Sequence, residues 1–176
     1  MKSSKKQFRI ALTGPESTGK TTLAEQLSAH FGTLWVPEYA REYLAERTNH
    51  YEKEEVVKMA KIQLSKINNQ ISDNNRIIFF DTDLIVFKIW YEYKYGFASS
   101  DINDYLAAQN IDYHLLCAPD LPWEFDVLRE TPQERQILFG LYENQLKINK
   151  FPYSIIWGIG AKRVENAIKI VEKLLG

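Results

Sequence analysis

The pattern that most constrains this chain lies at residues 14–21, which read Gly-Pro-Glu-Ser-Thr-Gly-Lys-Thr. It fits the spacing G-x-x-x-x-G-K-[ST], with a β-rich run before it at 8–13 and a helical pattern after it at 21–31. Gly14 and Gly19 let the backbone approach a ligand without a Cβ clash. The N–H groups of such a loop, and of the helix that it opens, attract phosphate oxygens. The pattern therefore predicts a phosphate-binding P-loop.

The loop supplies most of the expected nucleotide-binding residues. Lys20 is expected to span the β- and γ-phosphates of ATP, and the Thr21 hydroxyl is expected to lie at Mg²⁺. Asp81, at the end of a later strand, is expected to support the same metal. The full predicted nucleotide-binding set is Gly14, Glu16, Ser17, Thr18, Gly19, Lys20, Thr21, Thr22 and Arg135. ATP and Mg²⁺ are thus the expected cofactors.

Strand and helix patterns alternate along the rest of the chain. Short β-rich runs occur at 8–13, 33–36, 76–80, 113–117 and 154–157. Helical patterns separate them at 21–31, 38–47, 52–72, up to 95, 99–109 and 131–149, and a last helix follows. Four consecutive apolar residues at 77–80 are typical of a central strand that is buried on both faces. We expect one domain over 1–176, a P-loop NTPase three-layer α/β/α sandwich with a five-stranded parallel sheet.

Composition narrows the function classes. Lysine and arginine number 22 against 23 acidic residues, so the net charge is −1 and no basic excess favours nucleic acid as a partner. A single cysteine, Cys117, excludes a disulfide framework. The longest apolar stretch is interrupted by Asp81, Asp83 and Lys88, so no membrane span is expected. We expect a cytoplasmic protein with a small-molecule substrate.

Other motifs discriminate among nucleotide-binding proteins. The guanine motif N-K-x-D is absent, because Asn149-Lys150 is followed by Phe151-Pro152, and a GTPase is therefore disfavoured. An ATP-driven machine is disfavoured because no glutamate follows Asp81. A small-molecule kinase and a nucleotide-sensing module without transfer activity remain as alternatives.

A kinase also needs a carboxylate for the acceptor hydroxyl and a cationic lid. Glu38 and Asp83 follow two strands and are expected at the strand-end rim where α/β sheets bind ligands. Arg129 and Arg135 flank a helix start in a candidate lid at about 119–135, where an arginine can neutralise the transferring phosphoryl group. Each residue has a plainer alternative. Glu38 and Asp83 can serve the N-termini of their own helices, and the arginines can pair with neighbouring glutamates.

Four segments together resemble the ribosylnicotinamide kinase domain of the NadR family. They are GPESTGKTTLAEQL, WVPEYAREYL, FFDTDLIVFKIW and APDLPWEFDVLRE, the last followed by Arg135. The resemblance covers nearly the whole chain, in the same order and at similar spacing. It implies a nucleoside-kinase-like fold and the conversion of ATP and nicotinamide riboside to ADP and nicotinamide mononucleotide. A P-loop kinase of another nucleoside is the alternative.

The resemblance also implies residue roles. Lys20 and Thr21 would serve ATP and Mg²⁺, and Asp81 would support the metal. Glu38 and Asp83 would face the ribose, one of them as the base. Trp123, Asp126 and Arg129 would belong to a closing lid, and 158–163 would lie near adenine. An aromatic ring, with Tyr39, Tyr43, Trp90 and Trp123 as candidates, can bind the pyridinium cation of nicotinamide riboside.

Two further activities of full NadR proteins are not expected here. Those proteins also carry an adenylyltransferase domain, and some carry a DNA-binding helix-turn-helix. Neither fits within 176 residues, and no second nucleotide-binding motif is present.

Overall fold

The computed structural model describes residues 7–45, 51–70, 76–124 and 134–176. A five-stranded parallel sheet runs through them in the spatial order β2-β3-β1-β4-β5. The strands are β1 (Phe8–Thr13), β2 (Trp35–Val36), β3 (Ile77–Asp81), β4 (Tyr113–Cys117) and β5 (Tyr153–Ile156). The predicted α/β fold class and its parallel sheet are confirmed.

Helices connect the strands, as parallel pairing requires. They are α1 (Lys20–Phe31), α2 (Tyr39–Ala45), α3 (Lys53–Asn69), α4 (Leu84–Tyr95), α5 (Ser100–Ala108), α6 (Arg135–Ile148) and α7 (Ala161–Leu175). Among the described residues, no helix is both long and apolar enough to cross a membrane.

Alternation along the central strands divides the core into two layers. Ala11 and Phe80 belong to a cluster that includes residues of α2 to α6. Ile10, Leu12 and Phe79 belong to a second cluster with α1 and α7. Successive side chains of a strand point to opposite faces, so one sheet carries both layers. The result is the expected three-layer sandwich.

Several element boundaries differ from the sequence expectations. Only Trp35–Val36 of the 33–36 run pairs as a strand. The third helix ends at Asn69, before the predicted end at 72, because Gln70 is extended. The third strand runs one residue further than predicted and includes Asp81, while the fifth is shifted back by one to Tyr153–Ile156. The predicted helix start at 131 lies outside the described residues.

A buried arginine fastens the sheet to two helix ends. Arg9, on β1, donates through its guanidinium to the carbonyl oxygens of Asn110 at 2.6 Å, Gln70 at 3.0 Å and Ile67. Burial lowers the pKa of Arg9, and the charge of Asp112 partly opposes this. The last carbonyls of a helix have no partner within it, so Arg9 satisfies groups that would otherwise be unpaired at the end of α3.

Candidate active site

The P-loop lies between β1 and α1, as the sequence predicts. Gly14 has φ +132°, and a Cβ atom there would lie 2.7 Å from the carbonyl oxygen of Cys117. Gly19 has φ +71° and caps α1. Both positions therefore need glycine, the first for close packing on β4 and the second for a left-handed turn.

The Lys20 ammonium is hydrogen-bonded to the backbone of the P-loop. The Lys20 ammonium donates to the carbonyl oxygens of Gly14 at 3.0 Å and Pro15 at 2.8 Å. The Thr18 hydroxyl donates to the same Pro15 oxygen at 2.8 Å. These bonds hold Lys20 over the loop that is expected to receive phosphate.

Thr21 and Asp81 meet at the edge of the loop. The Thr21 hydroxyl donates to Asp81 Oδ2 at 2.6 Å. The other carboxylate oxygen, Oδ1, is buried and has no hydrogen-bond partner among the described residues. Burial raises the pKa of Asp81, while the hydrogen bond from Thr21 and the charge of Lys20 lower it.

This pair fits a magnesium site. A hydroxyl oxygen and a carboxylate with an unsatisfied oxygen are the hard donors that Mg²⁺ prefers. No group of three or more His, Cys, Asp or Glu side chains that could hold a metal occurs in the described parts of the chain. An ion here would therefore complete its shell with phosphate oxygens and water, as in nucleotide-dependent sites.

Asp83 is fully buried and is not among the described residues that line the cavity next to the P-loop. Its carboxylate accepts from the Thr13 hydroxyl at 2.9 Å and from Gln109 Nε2 at 3.4 Å, and His114 Nε2 lies 3.1 Å away. Asp83 occupies the N-cap position of α4, but its side chain makes no capping hydrogen bond. Gln109 instead accepts from the Leu84 N–H at 3.0 Å.

A cavity of about 890 Å³ joins the P-loop to the end of β2. Glu38, Arg41 and Tyr142 also line it. The pKa of Tyr142 is raised well above its usual value by burial and then by the charges of Asp83, Glu38 and Glu16. One continuous space therefore contains the loop lysine and the Glu38 carboxylate.

Aromatic side chains form one wall of the cavity. Trp90 donates through its indole N–H to the Tyr51 hydroxyl at 2.9 Å, and their rings meet edge to face at 5.0 Å. The Lys94 ammonium lies 3.7 Å from the centre of the Tyr51 ring. Of the four candidate rings, only Trp90 is among the described cavity-lining residues, whereas Tyr51 was missed.

Arg135, which the sequence predicts for the lid and for nucleotide binding, lies against the P-loop. Its guanidinium donates to the carbonyl oxygens of Ser17 at 3.1 Å and Leu121 at 2.9 Å. The Glu124 N–H donates to the Ser17 hydroxyl at 3.0 Å. The first part of the predicted lid, 121–124, is therefore docked on the loop. Asp126 and Arg129 lie outside the described residues.

Sequence reasoning missed Arg163 as an individual residue, although it placed 158–163 near the nucleotide. Its side chain is 5% exposed. It donates to Asp120 at 2.7 Å and to three backbone oxygens: Gly158 at 3.0 Å, Thr18 at 2.7 Å and Ala118 at 3.1 Å. A cation in the first turn of a helix runs against the helix dipole. That unfavourable sign is the signal that could have identified it.

Comparison with known proteins agrees with this geometry. The chain is 25% identical over 153 residues to the trifunctional NAD biosynthesis/regulator protein NadR of Salmonella typhimurium (strain LT2), covering 82% of this chain and 37% of that protein. The chain therefore spans little more than a third of its relative's length.

Solved structures share the fold. A crystal structure of NadR in complex with NR matches with a TM-score of 0.81 at 23% identity, over 95% of this chain and 51% of that chain. A second NadR structure, with NAD and AMP-PNP, matches with a TM-score of 0.76 at 22% identity, over 95% and 49%. Thymidylate kinase from Ehrlichia chaffeensis matches with a TM-score of 0.66 at 15% identity, over 97% and 99%.

These matches confirm the resemblance to NadR that the four sequence segments indicate. They also show that the fold is shared with P-loop kinases. The model of the AAA domain family matches residues 9–163, which is most of the chain. The chain therefore belongs to the AAA domain family.

Proposed function

We propose that this protein transfers the γ-phosphoryl group of ATP to the 5′-hydroxyl of nicotinamide riboside, giving ADP and nicotinamide mononucleotide. The observation that carries the proposal is the single cavity lined both by the P-loop lysine, Lys20, and by the Glu38 carboxylate. Phosphoryl transfer needs little more than positioning and charge neutralisation, and this cavity brings both together. The matches to NadR support nicotinamide riboside as the acceptor.

Glu38 is the base that we assign. It lines the cavity, whereas Asp81 and Asp83 do not. Its carboxylate would accept the proton of the 5′-hydroxyl as that oxygen bonds to the γ-phosphorus and the bond to the ADP oxygen breaks. Asp83, which is hydrogen-bonded to Thr13 and Gln109, would stabilise the backbone beneath the acceptor site without contacting the acceptor.

The phosphate side would be served by the loop. Lys20 would leave the carbonyl oxygens of Gly14 and Pro15 for the β- and γ-phosphates. Thr21 and Asp81 would hold Mg²⁺, which supplies charge neutralisation on the phosphate oxygens when it is bound. Arg135 would hold the P-loop in place through its bond to the Ser17 oxygen. Arg129 is proposed for the lid on the resemblance alone.

The nicotinamide ring of the acceptor would lie against the aromatic wall of the cavity. Nicotinamide riboside carries a pyridinium cation, and a desolvated cation over an aromatic ring is stabilised by about 2 kcal/mol. Trp90 and Tyr51 are two of the rings that line the cavity, and we assign Trp90 to the pyridinium because the Lys94 ammonium already lies over the Tyr51 ring. The Glu38 carboxylate in the same space also favours a cationic acceptor.

ADP release from Mg-ATP tests the proposal. Nicotinamide riboside, common nucleosides and no acceptor would each be offered to the wild type and to Lys20→Ala. Lys173→Ala, which removes an exposed lysine from the last turn of α7, is the matched control. We expect turnover with nicotinamide riboside that is lost only in Lys20→Ala.

Each of the other results would indicate a different acceptor or a different activity. Turnover with a different nucleoside would move the acceptor and keep the kinase. ADP release without any acceptor would indicate an ATPase, and tight nucleotide binding without turnover would indicate a sensing module.

A further inference from the structure

We propose that Gln63 is a positioning residue for phosphoryl transfer. Its side-chain amide joins the backbone next to Glu38 to the backbone between Asp81 and Asp83. Gln63 lies on α3, is fully buried, and does not line the cavity. The inference rests on the proposed function and adds to it the device that sets the distance between the acceptor carboxylate and the metal-binding carboxylate.

The sheet itself does not hold these two segments together. The pairing of β2 with β3 ends at Val36 opposite Phe80. Pro37 follows and has no backbone N–H with which to continue the ladder. Glu38 and the turn at 81–83 therefore lie beyond the last sheet hydrogen bond between these strands, and another contact must fix their separation.

Gln63 provides that contact on both sides. Its Oε1 accepts from the Tyr39 N–H at 2.9 Å, and its Nε2 donates to the Thr82 carbonyl oxygen at 3.4 Å. A backbone N–H only donates and a carbonyl only accepts, so the two partners fix the orientation of the amide. Tyr39 begins α2, and its N–H has no acceptor within the helix. The bond from Gln63 thus satisfies a helix end directly after Glu38.

The turn on the other side is strained. Thr82 has φ +81°, a left-handed conformation that is rare for a β-branched residue. Such a conformation persists only where the surroundings over-determine it. Three bonds do so here: Thr82 N–H to the Leu12 oxygen at 3.1 Å, Gln63 to the Thr82 oxygen, and Leu84 N–H to Gln109. Strain in the segment that aims Asp81 and Asp83 agrees with a positioning role for its supports.

Gln63→Met tests the role because methionine is close to glutamine in size and makes neither hydrogen bond. A misplacement of about 1 Å can lower a transfer rate about 100-fold. We expect kcat with nicotinamide riboside to fall about 100-fold, while the Kd for ATP stays unchanged because the P-loop makes no bond to Gln63 among the described residues. Hydrogen exchange at the Tyr39 amide should accelerate, which reports the bond without any assay of activity.

Two further variants separate positioning from packing. Ile67→Val trims another buried residue of α3 and touches neither backbone group, so activity and Tyr39 exchange should stay at wild-type values. Gln63→Glu can accept from Tyr39 and donate to Thr82 only when its carboxyl is protonated. Burial should raise the pKa of that carboxyl. The activity of Gln63→Glu relative to wild type should therefore fall as the pH rises, unlike that of Gln63→Met.

The possible outcomes are distinct. A Gln63→Met protein with wild-type kcat, or with unchanged Tyr39 exchange, would overturn the inference. An equal loss of kcat in Ile67→Val would also overturn it, because packing alone would then explain the effect. A wild type that transfers phosphate to no acceptor would contradict the proposed function instead. In that case, faster Tyr39 exchange confined to Gln63→Met would support the bridge, and unchanged exchange would overturn it.

Discussion

The two ends of the cavity are built in different ways. The P-loop takes most of its shape from its own residues: Lys20 and Thr18 bond to carbonyl oxygens three to six positions earlier, and glycines fix its turns. Arg163 and Arg135 add support from distant positions. The acceptor end is held by residues far away in the chain, since Gln63 joins Tyr39 to Thr82 and Gln109 contacts Asp83. A phosphate site can thus be specified locally, whereas the position of the acceptor carboxylates depends on tertiary packing.

The largest difference between the two ends is expected from Glu38→Gln. Removing a general base lowers kcat by about 100- to 10,000-fold, because the 5′-hydroxyl then keeps its proton as it attacks. ATP binding at the loop end should stay intact. Steady-state kinetics with nicotinamide riboside and a separate measurement of the Kd for ATP check both expectations.

Glu42→Gln is the control for that change. Glu42 lies on α2, four residues after Glu38, but its carboxylate pairs with Lys66 at 2.9 Å and it is not among the described residues that line the cavity. Its substitution should leave kcat unchanged. If Glu38→Gln turned over as fast as Glu42→Gln, another group would have to be the base.

Asp81→Asn tests the metal-binding side of the loop. Loss of the charge should lower kcat about 100-fold, since a metal contributes several kcal/mol of transition-state stabilisation. The same change should raise the Tm of the nucleotide-free protein. The folded-state pKa of Asp81 is raised by burial, so ionisation destabilises the fold as the pH rises above the ordinary aspartate range.

Thermal unfolding across the pH range checks the sign. The advantage of Asp81→Asn should be smallest in acid, where the wild-type carboxyl is protonated in both states, and should grow toward neutral pH. A variant less stable than the wild type at neutral pH would show that the buried charge is compensated in the folded protein.

Arg163→Met should destabilise the P-loop end of the cavity. The guanidinium connects Thr18 of the loop to Ala118 and Gly158, and its loss leaves Asp120 without its ion pair. Asp120 is partly exposed, so the loss of its charged hydrogen bond is expected to cost about 2 kcal/mol of folding free energy. We also expect about tenfold weaker ATP binding, close to 1.4 kcal/mol. Denaturant unfolding and calorimetric titration measure the two effects.

Lys162→Met gives the matched comparison, because it removes the neighbouring cation from an exposed position on the same helix turn. Its unfolding free energy and ATP affinity should stay close to those of the wild type. Equal effects in both variants would indicate a role for overall charge and not for the buried bonds of Arg163.

The smallest effect is expected from Trp90→Leu at the acceptor end. Loss of one aromatic face should raise the KM for nicotinamide riboside about tenfold, within the range of a desolvated cation–π contact. Uniform loss of binding leaves kcat unchanged. The KM for ATP is the internal control. An unchanged KM for nicotinamide riboside would place the nicotinamide ring elsewhere in the cavity.

The features that the sequence predicts correctly are mostly those that follow from local sequence patterns. The sheet, the helices and the P-loop follow from periodicity and from one motif of eight residues, and all are present. Arg135, which its position at a helix start predicts for a lid and for nucleotide binding, contacts Ser17. The helices and the P-loop depend on residues close together in the chain, whereas the bond from Arg135 to Ser17 joins positions 118 apart.

Features that depend on long-range contacts were harder to predict. Asp83 was expected to face the ribose, but burial of its carboxylate against Thr13 and Gln109 follows from the pairing of β1 with β3 and from the placement of α5. Gln63 and Tyr51 carried no motif. Their partners lie tens of residues away, so only the folded chain brings them to the site.

Direct detection of the product tests the central claim most sharply. The protein would be incubated with Mg-ATP and nicotinamide riboside, and the mixture would be analysed by mass spectrometry for a phosphorylated riboside, in wild type and in Glu38→Gln. We predict nicotinamide mononucleotide and ADP in equal amounts from the wild type, with production strongly reduced in Glu38→Gln. ADP without any phosphorylated riboside, or equal product from both proteins, would contradict the account.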